Sequence, residues 1–198
     1  MFNHSIFQLN PFRSEDFFME KNIRDNLRRI HRVNRTLWLS ILSGVLILVV
    51  ISLFFYWGNI LDMAVVRPQY LVDQILLFLV FALLLLIMYV KRNYLQLNKI
   101  IERAQRRDLS ITSSDVTDLV STFGKETNLL AKALIIMRRY YMVIWSAADL
   151  IVIIGFIQYI LTMTFKSFAI YTAAGILSLI INFPRFTIIE RLYYKLSK

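Results

Sequence analysis

Four long apolar runs, at 37–57, 70–90, 141–163 and 168–183, constrain this chain more than any other feature. About 20 apolar residues at 1.5 Å rise each are enough for a helix to cross the hydrocarbon core of a bilayer. Hydrophobic residues make up 58% of the chain, and the excess over a soluble domain is concentrated in these runs. The pattern predicts an all-α integral membrane protein with four transmembrane helices arranged as two hairpins, 37–90 and 141–184. Around them it predicts an amphipathic N-terminal segment (1–36), a helical hairpin in 91–140 and a basic tail (185–198).

Charge sets the expected orientation. Of the 23 Lys and Arg, 21 lie in 1–36, 91–140 and 185–198; only Arg67 and Lys166 lie in the other two connections. The positive-inside rule then places both termini and the long segment in the cytoplasm of a multi-pass protein of the cell inner (plasma) membrane. The net charge of +10 could serve nucleic acid or anionic lipid. Beside spanning helices, anionic headgroups are the cheaper explanation, and no nucleic-acid partner is expected.

The start of the chain has no short apolar region behind a basic one, so no cleavable signal is expected. Ser14 can cap a helix, with Glu15 and Asp16 in its first turn. Phe17, Ile23, Leu27, Ile30 and Val33 then recur at near-helical spacing beside Arg24, Arg28, Arg29, Arg32 and Arg35. Such a helix either lies in the membrane interface or packs on the protein's own polar segment, and the pattern allows both. Arg138 and Arg139 mark the same interface before the third run.

In the first run, Ser40 and Gly44 form a small-xxx-small pair that permits close helix approach. Trp38, Tyr56 and Trp57 stand where an aromatic belt belongs. A short polar connection at 58–69 carries Asp62, Arg67 and Pro68. Asp73 and Gln74 open the second run where they can reach water, and the rest of that run suits lipid contact. From Lys91 the second helix is expected to continue beyond the membrane. A turn at LSITSSD follows, with Ser114 as N-cap candidate and a break at Gly124. Residues 164–167 read as a tight outer turn. Thr172, Ala174, Gly175, Ser178 and Asn182 make the fourth run the one best suited to burial against protein, and Pro184 ends or kinks it.

Enzymatic constellations are absent. There is no cysteine, and His4 and His31 are the only histidines. No phosphate-binding glycine loop, dinucleotide fingerprint, nucleophile elbow or zinc-binding His-Glu motif occurs. No catalytic residue, metal or cofactor is therefore expected.

One carboxylate lies deep in an apolar run. Asp149 is ten residues beyond Arg139, about 15 Å along a helix and so about halfway through the core. A carboxylate there costs roughly 2.5–3.5 kcal/mol on insertion scales, and its neutral form is favoured. It can act as a proton or cation site, or as a polar clamp between helices. Counting back the same distance from Pro184 reaches Ala174, with Thr172 and Ser178 one turn either way as the expected helix-contact partners.

The stretch SAADLIVIIGFIQYIL, with Gly155 six residues after Asp149, resembles the carboxylate helix of rotary ATPase proteolipids. That resemblance implies a proton-binding acid. The acid here is on the first helix of its hairpin, whereas proteolipids carry it on the second. As a whole the chain resembles small bacterial four-helix membrane proteins, through Arg35-x-x-Trp38, an acidic third span and Pro184. Three functions remain open: a non-enzymatic accessory or assembly subunit of a membrane complex, a proton- or cation-handling subunit centred on Asp149, and a lipid-modifying enzyme. The expected partners are the lipid bilayer and other membrane subunits or further copies of the chain.

Overall fold

The computed structural model describes the backbone of residues 12–58, 70–106, 114–124, 127–162 and 164–196. Side chains of 12–20, 70, 114 and 115 are outside the description. The expectations for Asp62, Arg67 and Pro68, for Glu15, Asp16 and Phe17, and for the turn at 109–113 fall outside the described residues.

The described chain is helical throughout: α1 (Phe12–Trp57), α2 (Tyr70–Tyr94), α3 (Leu97–Arg106), α4 (Ser114–Phe123), α5 (Asn128–Thr162), α6 (Phe165–Ile181) and α7 (Phe186–Leu196). Four of its helical stretches are long and apolar enough to cross a membrane: 21–57, 71–94, 128–162 and 165–196.

Helix α5 is the hub. Its 35 residues extend about 52 Å, well beyond a bilayer core of about 30 Å. Its first turns therefore project into the polar end of the molecule. There α3, α4, α7 and the first half of α1 pack around it. The core of this end is formed by Ile23, Leu27 and Ile30 of α1, Ile100 and Ala104 of α3, Leu119 of α4, Leu134 of α5, and Ile189 and Leu192 of α7. Those of α1, α3, α4 and α7 come from amphipathic stripes, which have to be buried somewhere in water, whereas α5 is buried all round here, from Ala133 to Met137.

Along the apolar runs α6 lies on α5, and α1 and α2 each pack on α5 rather than on each other. The first two spans are therefore not a packed hairpin of the kind expected from their order. Apolar residues do not drive this choice, because lipid tails are as apolar as leucine. Close fit does. A Cβ added at Gly175 would lie 2.5 Å from Val152 Cγ2 and 2.8 Å from the Ala148 carbonyl oxygen, and one at Gly155 would lie 2.8 Å from Tyr171 Cβ. Glycine lets the α5 and α6 backbones approach closely. Gly44, by contrast, has nothing within 4 Å of such a Cβ, so the Ser40/Gly44 pair joins no helices among the described residues.

Helix α1 is unbroken from Phe12 to Trp57, so the arginine-bearing segment and the first span share one helix. Ser14 lies inside it, not at its cap. Of the two placements open to the stripe, the one observed is packing on the protein's own helices. Two exposed ion pairs accompany it, Arg24–Glu190 on α7 (2.9 Å) and Arg29–Asp118 on α4 (3.1 Å). Helix α2 does not run straight on into α3; the chain breaks at Leu95 and Gln96. Gly124, with φ 78°, ends α4 in the left-handed conformation that glycine adopts freely, and its N–H donates to Val120 O.

Candidate functional site at Asp149

Pro184 organises the boundary nearest the site. Lacking an N–H, it cannot close the last turn of α6. Phe183 N donates to Ile180 O, and Asn182 N donates to Ser178 O. The carbonyls of Leu179 and Asn182 accept from two indoles instead: Trp38 Nε1 to Leu179 O (3.1 Å) and Trp145 Nε1 to Asn182 O (3.0 Å). The Trp38 ring also meets Phe183 edge-on at 4.9 Å. These contacts tie α1 and α5 to the end of α6 and fix the rotation of α5 one turn before Asp149.

That rotation turns Ala148 towards Gly175 and carries Asp149 off the α5–α6 contact. Asp149 is half-buried, on the edge of an open strip of α5 formed by Val143, Ser146 and Leu150. Among the described residues it has no hydrogen-bond partner. Neither expected partner reaches it. Ser178 Oγ donates to Ala174 O of its own helix (2.8 Å), and Thr172 Oγ1 is buried without a partner. The arrangement is not an intramolecular clamp. It is a carboxyl beside a hydroxyl on a face that no described residue covers.

The seven arginines expected at the interface divide. Arg24 and Arg29 make the ion pairs above, and Arg28 pairs with Asp25 at 3.6 Å. Arg138 Nε donates to Asn34 Oδ1 (2.7 Å), joining α5 to α1. Arg32, Arg35 and Arg139 are exposed.

Three features escaped the sequence reading. Asp73 accepts from the buried Gln158 (Nε2–Oδ1 3.1 Å), which ties α2 to α5 at the end away from the arginines. Arg103 lies 4.1 Å above the Tyr94 ring and 5.5 Å from that of Tyr140, and donates to the Tyr140 hydroxyl at 3.3 Å. The only sequence signal was a tyrosine near each end of the 91–140 segment. His31 is half-buried against Phe186, with its Nδ1 lacking a partner. Burial, and then the Arg35 charge, hold its pKa below the ordinary 6.5.

Comparison of the chain with family models, with curated proteins and with solved structures gives no match.

Proposed function

We infer that this chain is a non-enzymatic subunit of a larger membrane complex, an accessory or assembly component. In this reading both termini and 91–140 are cytoplasmic. The observation that supports it is Asp149. Ionisable residues at mid-membrane face protein or a water-filled cavity, because exposure to hydrocarbon costs several kcal/mol. Here the carboxyl and the neighbouring Ser146 open outward, so a second protein surface, of another subunit or another copy, is the natural cover. The test is purification of the full chain from native membranes in mild detergent, with the assembly mass and its components read by mass spectrometry. A stable assembly well above 23.4 kDa of protein is expected. A monodisperse single chain would refute the reading.

The alternative, proton or cation handling at Asp149, draws on the same lack of an internal partner. Asp149→Asn separates the two: it keeps hydrogen bonding and removes the titrating proton. A complex that assembles normally but loses activity would favour the proton site.

Orientation is tested with single cysteines, for which the chain is a clean background. A membrane-impermeant thiol reagent on intact cells is expected to label Ile60→Cys and Phe165→Cys but not Ser110→Cys or Leu196→Cys. The reverse pattern would overturn the orientation.

A further inference from the structure

We propose that a cavity between the end of α2, α5 and the α6–α7 joint binds a phosphate-bearing anion, and that its source is the headgroup of an anionic lipid. The cavity has a volume of about 470 Å³. Lys91, Arg185, Tyr141 and Asn182 supply its polar wall, and Ile181 and Ile188 part of its apolar one.

Charge is the first argument. Two cations from separate elements face one space, and no acidic side chain lines it. Among the described residues neither Lys91 nor Arg185 has a carboxylate partner. Arg185 offers a planar fork suited to two phosphate oxygens, and Lys91 a compact point charge. A second cavity, beside Arg103, is less suited. It holds Glu102, paired with Arg106 at 2.7 Å, and its Arg103 is already engaged with two tyrosines.

Donors are the second argument. Tyr141 is buried, yet its hydroxyl makes no hydrogen bond among the described residues and lines this cavity. Asn182 is held at both side chain and backbone, its Nδ2 donating to Ser178 O and its backbone carbonyl accepting from Trp145 Nε1. The wall is thus pre-formed, with little side-chain entropy left to lose on the Asn182 side.

Depth identifies the source. Lys91 follows the second span directly, Tyr141 opens the third, and Arg185 follows the fourth, so three spans end at one level. A lipid phosphate lies at that level in a bilayer. Ile181, on the lipid side of α6, is exposed next to the cavity and would meet the acyl chains. The proposal rests on the reading that these helices cross a bilayer.

The experiment uses the full chain in mild detergent with added phosphatidylglycerol or phosphatidylcholine, read by native mass spectrometry. One phosphatidylglycerol is expected to stay bound under conditions that strip phosphatidylcholine. Lys91→Gln with Arg185→Gln is expected to weaken retention about twenty-five-fold, at about fivefold per cation. Lys99→Gln, at the other cavity, is expected to change nothing. Arg185→Lys keeps the charge and is expected to lose only a fewfold. Circular dichroism and elution volume check that each variant is folded. Undiminished retention by the folded double variant would overturn the site. Excess inorganic phosphate is expected to leave the lipid bound; stoichiometric displacement by it would assign the cavity to a soluble phosphate and overturn the lipid assignment. Thiol labelling of the double variant at the four positions above reads the bilayer topology separately. A failure of that reading is thereby distinguished from a failure of the site.

Discussion

Enlarging Gly175 probes the helix contact that sets the direction of Asp149. An added Cβ meets the Ala148 carbonyl oxygen at 2.8 Å, and ordinary contact begins at 3.4 Å, so the backbones must part by about 0.6 Å. The Val152 methyl at 2.5 Å demands more, and a valine in a helix has one strongly preferred rotamer, so it cannot turn aside cheaply. Overpacking of this kind costs typically 1–3 kcal/mol. Helix propensity favours alanine over glycine by up to about 1 kcal/mol, which offsets part of it. Gly175→Ala is therefore expected to destabilise by about 1 kcal/mol, and Gly175→Leu by about 3 kcal/mol or more. Gly44 is the matched control: with open space around it, Gly44→Ala and Gly44→Leu are expected to be no less stable than the parent, and helix propensity can raise them by up to about 1 kcal/mol. Unfolding by SDS in mixed micelles, followed by tryptophan fluorescence, reports the difference because Trp145 is fully buried on α5. Equal stability of Gly175→Leu and Gly44→Leu would refute the close α5–α6 contact, and with it the placement of Asp149.

Two further outcomes follow from other contacts. Because burial lowers the His31 pKa, the unfolded chain binds more protons than the folded one between the folded value and 6.5, so stability falls as pH drops through that window. His31→Gln is expected to flatten this dependence in a pH series of thermal unfolding, and an unchanged slope would remove His31 as its source. Trp38→Phe keeps an aromatic ring against Phe183 but leaves the Leu179 carbonyl without its donor. A loss of about 1–2 kcal/mol is expected in the SDS titration, and no loss would mean that water already satisfies that carbonyl.

The four long apolar helices were legible in the sequence because the demand of hydrocarbon for about 20 apolar residues in a row leaves a pattern that little else has. Gly124 was legible too, since a glycine between two helical patterns marks a left-handed stop. The packing partners were not. In water the stripe at Ile23, Leu27 and Ile30 announces that it must be buried, although it does not name α4 and α7 as the cover. In lipid even that signal fails, because an outward leucine costs nothing. Composition offered two small-residue surfaces, at Ser40 and Gly44 and along the fourth run at Gly175; the second is the one in close contact, joined by Gly155 of α5, and nothing local told the two apart. Depth counting placed Ala174 level with Asp149 and Thr172 and Ser178 a turn to either side, but a hydrogen bond also needs the right rotation, about 100° per residue. The tryptophans and Pro184 set that rotation through contacts at separations of 37 residues (Trp145 to Asn182) and 141 residues (Trp38 to Leu179), which no local pattern reveals.

The open face beside Asp149 is the centre of the account, and photo-crosslinking in native membranes tests it most directly. Ser146→benzoylphenylalanine places a reactive ketone on that face, and Phe78→benzoylphenylalanine places one on the widely exposed apolar face of α2, where Phe78 is 74% exposed. Illumination is expected to give a discrete protein adduct at 146 and lipid adducts at 78, with the protein adduct lost when Asp149→Leu is added and kept with Asp149→Asn. Lipid adducts alone at 146 would mean that Asp149 faces hydrocarbon with no protein cover, and the reading of this chain as one subunit of a larger membrane complex would fall.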